Sequence, residues 1–317
     1  MNISVTISNE PCFWGDKRYH SINYHLRQQF GGKIYKISLD AGFTCPNRDG
    51  SLAVGGCAFC SPHGSGDFVA ARNKSLAEQF EQGREVMQQK WIGQQYIAYL
   101  QAFSNTYAPI ARLRQVYETA LAQLGVVGLA IATRPDCLPE EVLDLLGEIN
   151  QQHYLSVELG LQTLHQRTSE LLNLHYNYQD FLTAVQELRA RNIDICAHVI
   201  LGLPGEDLTD MMATAQALAM LPVQGIKIQL LHLMRNTPLA DIYAKEPFPF
   251  LSQAEYVRCV VKIIEILPPD MVIHRLTGDS PRQLLIGPTW SLNKRAVLNA
   301  IDKELLIQNS WQGKFYP

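Results

Sequence analysis

The chain has 317 residues, of which 47% are hydrophobic and 18% are charged, and its formal net charge is −3. This composition excludes a wholly disordered chain, and the small negative charge disfavours a protein that binds nucleic acid through an overall basic surface. No stretch approaches the roughly 20 apolar residues of a membrane span, and no basic segment precedes an apolar run near the start. We therefore expect a cytoplasmic protein without membrane segments; the sequence indicates no oligomeric state.

Short β-branched runs alternate with longer helical patterns through most of the chain. The predicted strands are residues 33–39, 95–101, 126–133, 154–161, 193–201 and 225–231. The predicted helices between them lie near residues 76–90, 110–124, 139–150, 178–191 and 207–220. Six strands joined by helical crossovers predict a parallel sheet, either open and doubly wound or curved into a partial barrel. In both forms the functional side chains collect at the carboxyl ends of the strands.

The pattern changes after residue 232. A helix is predicted near 252–267, a short strand at 271–275 and a last helix near 292–306. We interpret residues 233–317 as a C-terminal extension packed on a core of residues 33–232, and residues 1–32 as an N-terminal lead-in.

Three of the seven cysteines lie in one short stretch, DAGFTCPNRDGSLAVGGCAFCS, which follows the first predicted strand. Cys45, Cys57 and Cys60 have the spacing C-x11-C-x2-C, which suits one metal centre. Iron–sulfur clusters usually have four thiolate ligands, so three would leave one iron of a four-iron cluster open for a small molecule. Alternatives are a Cys3His zinc site completed by His63, and three buried cysteines with no common ligand.

The longer string KIYKISLDAGFTCPNRDGSLAVGGCAFCS, with Phe59 before the last cysteine, resembles the radical S-adenosylmethionine (SAM) superfamily. Within it, the string is similar to the YhcC/YtqA-type family, which is related to the radical domain of the elongator catalytic subunit. The usual superfamily spacing is C-x3-C-x2-C, and the wider first gap is normal in this family. Three further blocks agree: IATRPDCLPEEVLDLL (131–146), VELGLQTLHQRTSELLN (157–173) and HVILGLPGE (198–206). The likeness runs from about Arg18 to beyond Arg282.

One departure from the family pattern follows Asn173. Relatives often have Asn-Arg-Gly-His there, whereas this chain continues with Leu174, His175 and Tyr176. The arginine that contacts the cofactor carboxylate in relatives therefore has no counterpart at position 174.

The resemblance implies an α/β fold, a partial (β/α)6 TIM-like barrel of parallel strands with a C-terminal α/β extension. It also implies a [4Fe-4S] cluster on Cys45, Cys57 and Cys60, with SAM chelating the open iron. An electron from a reductant of the flavodoxin or ferredoxin type would cleave SAM to a 5′-deoxyadenosyl radical, which abstracts hydrogen from the substrate. The cofactor supplies this chemistry, and the protein supplies orientation and shielding.

The predicted cofactor contacts, apart from Phe59, lie within or directly after strands two to five, with His198 inside strand five. They are Gln101, Ser104, Asn105, Thr133, Glu158, Gln162, His198, Gly202 and Glu206. Glu158 stands in an apolar run, where an unpartnered acid costs free energy, and this favours a functional role. The open alternatives are an ordinary polar loop for residues 101–105 and a satisfied core histidine for His198. No further catalytic side chain is predicted.

Four residues are predicted to contact substrate. Arg134 has a bidentate fork that suits a carboxylate or phosphate, or it forms a salt bridge with Asp136 at the barrel rim. Arg275, Asp279 and Arg282, in HRLTGDSPRQLL, are expected at the barrel mouth or in a solvated loop.

The likeness to the elongator enzyme implies transfer RNA as a partner, with a modified wobble uridine as the target. Candidate phosphate contacts are Lys17, Arg18, Arg72, Lys74, Lys294 and Arg295. Binding through phosphates would weaken steeply with salt. Two other hypotheses stay open: a radical SAM enzyme that acts on a small metabolite or a protein, and a zinc-stabilised binding module without catalysis.

Overall fold

A computed structural model of the chain describes residues 11–64, 66–69, 73–89 and 95–317. In this part of the chain, seven parallel strands form one sheet that curls into a half-barrel. In spatial order they are β1 (Ile34–Leu39), β2 (Gln95–Leu100), β3 (Val126–Thr133), β4 (Tyr154–Gln162), β5 (Asp194–Leu201), β6 (Gly225–Leu230) and β8 (Val272–Arg275). A separate antiparallel pair is formed by β7 (Leu233–Met234) and β9 (Leu285–Gly287).

Ten α-helices of the described residues connect and flank the strands, and most of them cover the outer face of the sheet. They are α1 (Ile22–Phe30), α2 (Leu76–Gln88), α3 (Ile110–Leu121), α4 (Glu140–Asn150), α5 (Gln166–Leu171), α6 (Tyr178–Ala190), α7 (Leu208–Ala219), α8 (Pro238–Lys245), α9 (Gln253–Ile266) and α10 (Lys294–Ile307). A 3-10 helix, Thr289–Leu292, precedes α10. Four of the helices begin with a capping box, so their start points are set by local sequence: the caps are Ser75, Asn177, Asp207 and Ser252.

The partial barrel of parallel strands is confirmed, and its sheet contains one strand more than the six predicted. The additional strand, β8, comes from the C-terminal segment and pairs in parallel with β6. Helix α9 is the crossover between these two strands, so the βα rhythm continues past residue 232. Helices α1, α5 and α8 were not predicted.

Each strand of the barrel packs against helices on one face and faces the barrel interior, or lumen, on the other. In β2, for example, Tyr96 packs on Phe80 of α2, whereas Ile97 and Tyr99 point inward. Leu26 of α1 joins the inward cluster, so α1 packs into the lumen. None of the described helices combines the length and the apolar character needed to cross a bilayer.

Candidate active site

The three clustered cysteines line one cavity of about 170 Å³ inside the half-barrel. Cys45 is 9% exposed, and Cys57 and Cys60 are partly buried. A larger groove, about 1010 Å³, lies among the loops after β1, β2 and β3 and contains none of these three cysteines. The volume of a cavity therefore does not identify the candidate site. The position of the three cysteines identifies it as the smaller cavity.

Two polar side chains hold the loop that carries the cysteines. Asn47 is fully buried; its Nδ2 donates to the Asn173 carbonyl at 2.6 Å and lies 3.5 Å from the Cys57 sulfur. Arg48 Nη2 donates to the carbonyls of Cys60 at 3.2 Å and Ser61 at 2.6 Å. These bonds tie the loop to itself and to the segment after α5, and so restrain the positions of the cysteines.

Gly56 is required by the same loop. Its φ is +84°, and a Cβ at this position would lie 2.7 Å from Arg48 Nε. A larger residue would therefore combine backbone strain with displacement of the Arg48 guanidinium.

We expect Asn47→Ala to loosen this loop. The change leaves the Asn173 carbonyl, which is partly buried, without its donor, and it costs about 1 kcal/mol. The expected result is a lower midpoint of thermal unfolding and a lower iron content after anaerobic purification. Gln115→Ala is the control, because Gln115 makes an exposed bond to Arg112 within α3, outside the cavity. Iron content equal to that of the parent chain would contradict this role of Asn47.

The cysteines are not arranged around a single metal ion. Within the described residues, no three His, Cys, Asp or Glu side chains are placed to ligate one ion. The His63 side chain is exposed and does not line the cavity that holds the cysteines. Ligands of a four-iron cluster bind different irons and stand farther apart than ligands of one ion. The geometry therefore disfavours the Cys3His zinc alternative.

Comparison with known proteins decides the family. Residues 45–218 match the family model of the Radical SAM superfamily, and residues 223–306 match that of the Radical_SAM C-terminal domain. The chain belongs to the radical SAM superfamily. Radical SAM proteins are enzymes whose cofactors are a [4Fe-4S] cluster and SAM.

Named relatives within the radical SAM superfamily cover nearly the whole chain. YtqA of Bacillus subtilis (strain 168) is 53% identical over 301 residues, which span 95% of this chain and 94% of YtqA. YhcC of Escherichia coli (strain K12) is 34% identical over 281 residues, 88% of this chain and 90% of YhcC. The structure is also similar to the archaeal Elp3 of Methanocaldococcus infernus, with a TM-score of 0.66 and 14% identity. That match covers 88% of this chain and 64% of Elp3, and shows a shared fold.

Most of the predicted SAM contacts line the cavity with the cysteines. They are Phe59, Gln101, Ser104, Thr133, Glu158, Gln162 and His198. Gln162 has a positive φ of 66°, a strained conformation for a residue other than glycine. Strain of this kind is typical of functional sites, and here it directs the end of β4 into the cavity.

Three predicted SAM contacts do not line this cavity. Asn105 is fully buried, and its Nδ2 donates to the carbonyls of Leu100 at 3.1 Å and Ala132 at 2.9 Å, which joins the ends of β2 and β3. Glu206 accepts a bond from Thr163 Oγ1 at 2.6 Å. Gly202, with φ +79°, forms the turn after β5.

The predicted substrate residues divide into two groups. Arg134 and Arg275 line the cavity. Asp279 lies outside it and pairs with Lys294 at 2.5 Å, and Arg282 is exposed.

Arg134 has one guanidinium nitrogen available for a ligand. Its Nε and Nη2 donate to the two carboxylate oxygens of Asp136 at 2.8 and 2.7 Å. Its guanidinium carbon lies 4.8 Å from the centre of the Tyr176 ring. The third nitrogen, Nη1, is buried without a hydrogen-bond partner among the described residues. The predicted salt bridge to Asp136 is confirmed, and it leaves this donor free.

A buried cluster of charged and polar groups in the lumen was only partly predicted. Glu158 is fully buried, and three side chains contact its carboxylate. Lys36 Nζ lies 2.8 Å from Glu158 Oε1. Lys227 Nζ contacts Glu158 Oε2, and His198 Nε2 lies 3.0 Å from the same oxygen. Lys227 also bonds to the Tyr99 hydroxyl at 3.2 Å. Lys36, Lys227 and Tyr99 were missed, although each lysine interrupts an apolar strand as Glu158 does.

These neighbours set the protonation states in the cluster. Burial alone raises the pKa of Glu158, but the lysines Lys227 and Lys36 more than offset this and hold that pKa well below its usual range. Burial lowers the pKa of Lys227 to about 8, and Glu158 limits the decrease. Burial and Lys227 lower the pKa of His198, so this imidazole is neutral at neutral pH.

The residues present fit a cluster and SAM. Burial, reinforced by Cys60, raises the pKa of the Cys57 thiol to about 12, so its thiolate form requires the positive charge of a metal centre. Arg134 is the cation whose charge most strongly opposes this increase. Three thiols and a partly unpaired guanidinium therefore lie together, as a metal cluster and a carboxylate-bearing ligand would require.

Proposed function

We propose that this radical SAM enzyme modifies the side chain of a wobble uridine in transfer RNA. The observation that carries the radical chemistry is the cavity shared by Cys45, Cys57, Cys60 and the unpaired nitrogen of Arg134. The transfer RNA substrate is supported by the resemblance to the elongator catalytic subunit and by the fold shared with archaeal Elp3. We also propose that the enzyme works in the cytoplasm, with a flavodoxin or ferredoxin as reductant.

The three cysteines are the proposed ligands of the [4Fe-4S] cluster, and SAM would occupy the open iron beside them. When bound, the cluster and SAM supply a 5′-deoxyadenosyl radical that removes a hydrogen atom from a substrate carbon. The chain holds the cysteine loop in place through Asn47 and Arg48. It also encloses the reacting groups in a partly apolar lumen, which limits access of water.

Arg134 is the proposed partner of the SAM carboxylate. The chain has no arginine at position 174, where relatives carry one, and Leu174 lies instead in an apolar cluster. Arg134 approaches this region from β3 and stacks on Tyr176. Its free Nη1 donor then serves the carboxylate with a charge-assisted hydrogen bond.

The proposed phosphate contacts are dispersed, and several already have partners within the chain. Lys17 pairs with Asp302 at 2.5 Å, and Arg18 bonds to Asn309 and Ser310 at 3.2 Å. Lys294 pairs with Asp279, Arg295 is exposed and Lys74 is partly buried. Arg72 lies outside the described residues. Binding of transfer RNA would therefore compete with these surface ion pairs.

The radical chemistry is tested on the anaerobically reconstituted protein. We expect dithionite to convert SAM to methionine and 5′-deoxyadenosine, which liquid chromatography measures. A colourless protein that binds zinc and does not respond to dithionite would overturn the proposal.

The transfer RNA substrate is tested in a Bacillus subtilis strain that lacks YtqA. We expect a changed wobble-uridine nucleoside profile, measured by mass spectrometry of digested transfer RNA, and its restoration by this chain but not by its Cys57→Ser variant. If the deletion leaves the profile unchanged while the purified protein still cleaves SAM, the transfer RNA assignment is wrong. A metabolite or a protein is then the substrate.

A further inference from the structure

We propose that the inner part of the cavity is a binding site for a carboxylate group of the substrate, formed by Lys227 and Arg275 and kept positive by Lys36, which shares Glu158 with Lys227. The assignment to the substrate rests on the proposed radical SAM function, whereas the anion binding itself does not. None of these three cations is needed for the cysteine site or for the pairing of Arg134 with Asp136.

Two of the three cations, Lys227 and Arg275, lie on one layer of the lumen. His198, Lys227 and Arg275 are direct register partners on the neighbouring strands β5, β6 and β8, so their side chains project from the same face of the sheet. Lys36 and Lys227 each stand three residues before the end of their strand. At about 3.3 Å per residue, this places their backbone about 10 Å below the rim.

The two lysines share a single carboxylate. Lys36 and Lys227 bind the two oxygens of Glu158, whose side chain is fully buried, while only 8% of the Lys227 side chain is exposed. Two full positive charges therefore face one negative charge. Burying such an excess costs free energy unless a further anion is present.

Arg275 adds to the positive excess. Its closest acidic partner is Asp279, with Nη2 3.9 Å from Oδ2, and Asp279 is already held by Lys294 at 2.5 Å. Tyr99 does not compensate for this charge, because burial and the Glu158 charge raise its pKa well above the usual range. Lys227 and Arg275 thus line this part of the cavity beside Glu158, and Lys36, which does not line it, adds a third positive charge to that one carboxylate.

The ligand that matches this site is a carboxylate on a small group, not a phosphate of a nucleic-acid backbone. The cavity measures about 170 Å³ and the lysines lie well below its rim, so a polymer backbone does not reach them. A planar carboxylate has two oxygens, which suit the Arg275 fork on one side and the Lys227 ammonium group on the other. Bound there, it would hold the adjoining carbon in the lumen, towards the cysteines.

The test measures acetate binding to the full-length protein as purified anaerobically, with no SAM or reductant added. Saturation-transfer NMR at constant ionic strength gives the dissociation constant, and acetamide is the uncharged isostere. We expect acetate to bind and acetamide not to bind. Lys227→Met should raise the acetate dissociation constant about tenfold, because it removes a charge-assisted bond. Lys36→Met should raise it as well, because Glu158 is then shared with no second lysine and neutralises Lys227.

Two further variants separate an anion site from a structural ion-pair network. Glu158→Gln should lower the acetate dissociation constant, because it removes the carboxylate that competes for both lysines. Misfolding does not produce such a gain. Lys17→Met is the matched control, since Lys17 pairs with Asp302 outside the cavity, and it should leave the dissociation constant unchanged.

A competition experiment with S-adenosylhomocysteine shows whether the site binds a carboxylate of the substrate or the carboxylate of the cofactor. Acetate binding that persists at saturating S-adenosylhomocysteine supports a substrate site. Displacement would assign the site to the methionine carboxylate of the cofactor and overturn the proposal. Absence of acetate binding, or equal binding by both lysine variants and the parent chain, would also overturn it. No turnover is measured, so failure here is distinct from failure of SAM cleavage or of transfer RNA modification.

Discussion

Replacing Cys57 by serine is expected to abolish SAM cleavage and to remove the iron while the barrel stays folded. A hydroxyl is a hard ligand, whereas iron–sulfur clusters are held by soft thiolates, so the two remaining cysteines would not retain a four-iron cluster. Cys57 lies in the loop after β1 and not in a strand of the sheet, so the circular dichroism spectrum should be unchanged. Iron content and 5′-deoxyadenosine formation under dithionite are the measurements.

Cys12→Ser is the matched control, because Cys12 is exposed and lies outside the cavity. Its iron content and its rate of deoxyadenosine formation should equal those of the parent chain. Retention of iron and turnover by Cys57→Ser would show that Cys57 is not a cluster ligand.

Glu158→Ala is expected to destabilise the fold by about 3–5 kcal/mol, because it leaves Lys36 and Lys227 without their shared buried partner. Urea unfolding of the metal-free protein measures the change. Asp302→Ala is the control: its pair with Lys17 is about one-third exposed, and such pairs contribute about 0–1 kcal/mol. A loss equal to that of the control would mean that the lysines are solvated in the folded protein.

The same carboxylate predicts a dependence of stability on pH. The folded-state pKa of Glu158 is lowered, so its contribution is complete above the unfolded value of about 4.3 and is lost as the pH falls through the folded pKa. The parent chain should therefore lose more stability on acidification below about pH 4.3 than Glu158→Gln does. Parallel stability curves for the two proteins would contradict the depressed pKa.

The strand pattern was predictable because each parallel strand is buried on both faces and forms an apolar run bounded by helix caps. All six predicted strands and the five helices between them are present, with small differences at their ends. Strand β8 was predicted as a strand, but its place in the sheet was not. Four residues of local sequence do not specify a pairing partner, and the β6 contacts that fix this pairing are non-local.

The three cysteines of the site were predictable, because they lie close together in the sequence and their spacing is typical of a metal site. Lys36 and Lys227 were missed, since a lysine in a strand often extends its amine to solvent, and the pattern does not show which face it occupies. Asn105 illustrates the converse. A polar residue after a strand is equally typical of a ligand contact and of a residue that bonds to neighbouring backbone carbonyls, as this one does.

The position of α1 affects how the barrel wall is closed. Strands β1 and β8 are the two edges of the sheet, and the segment around α1 links them: the His20 carbonyl accepts from Ile273 N at 2.7 Å, and Leu26 packs on Ile34. This seam is closed by α1 and by an isolated backbone bridge between Ser21 and Ile273, whereas every junction between neighbouring strands of the sheet is a ladder of backbone bonds. Among the described residues, the seam is therefore the junction of the barrel wall with the fewest backbone bonds.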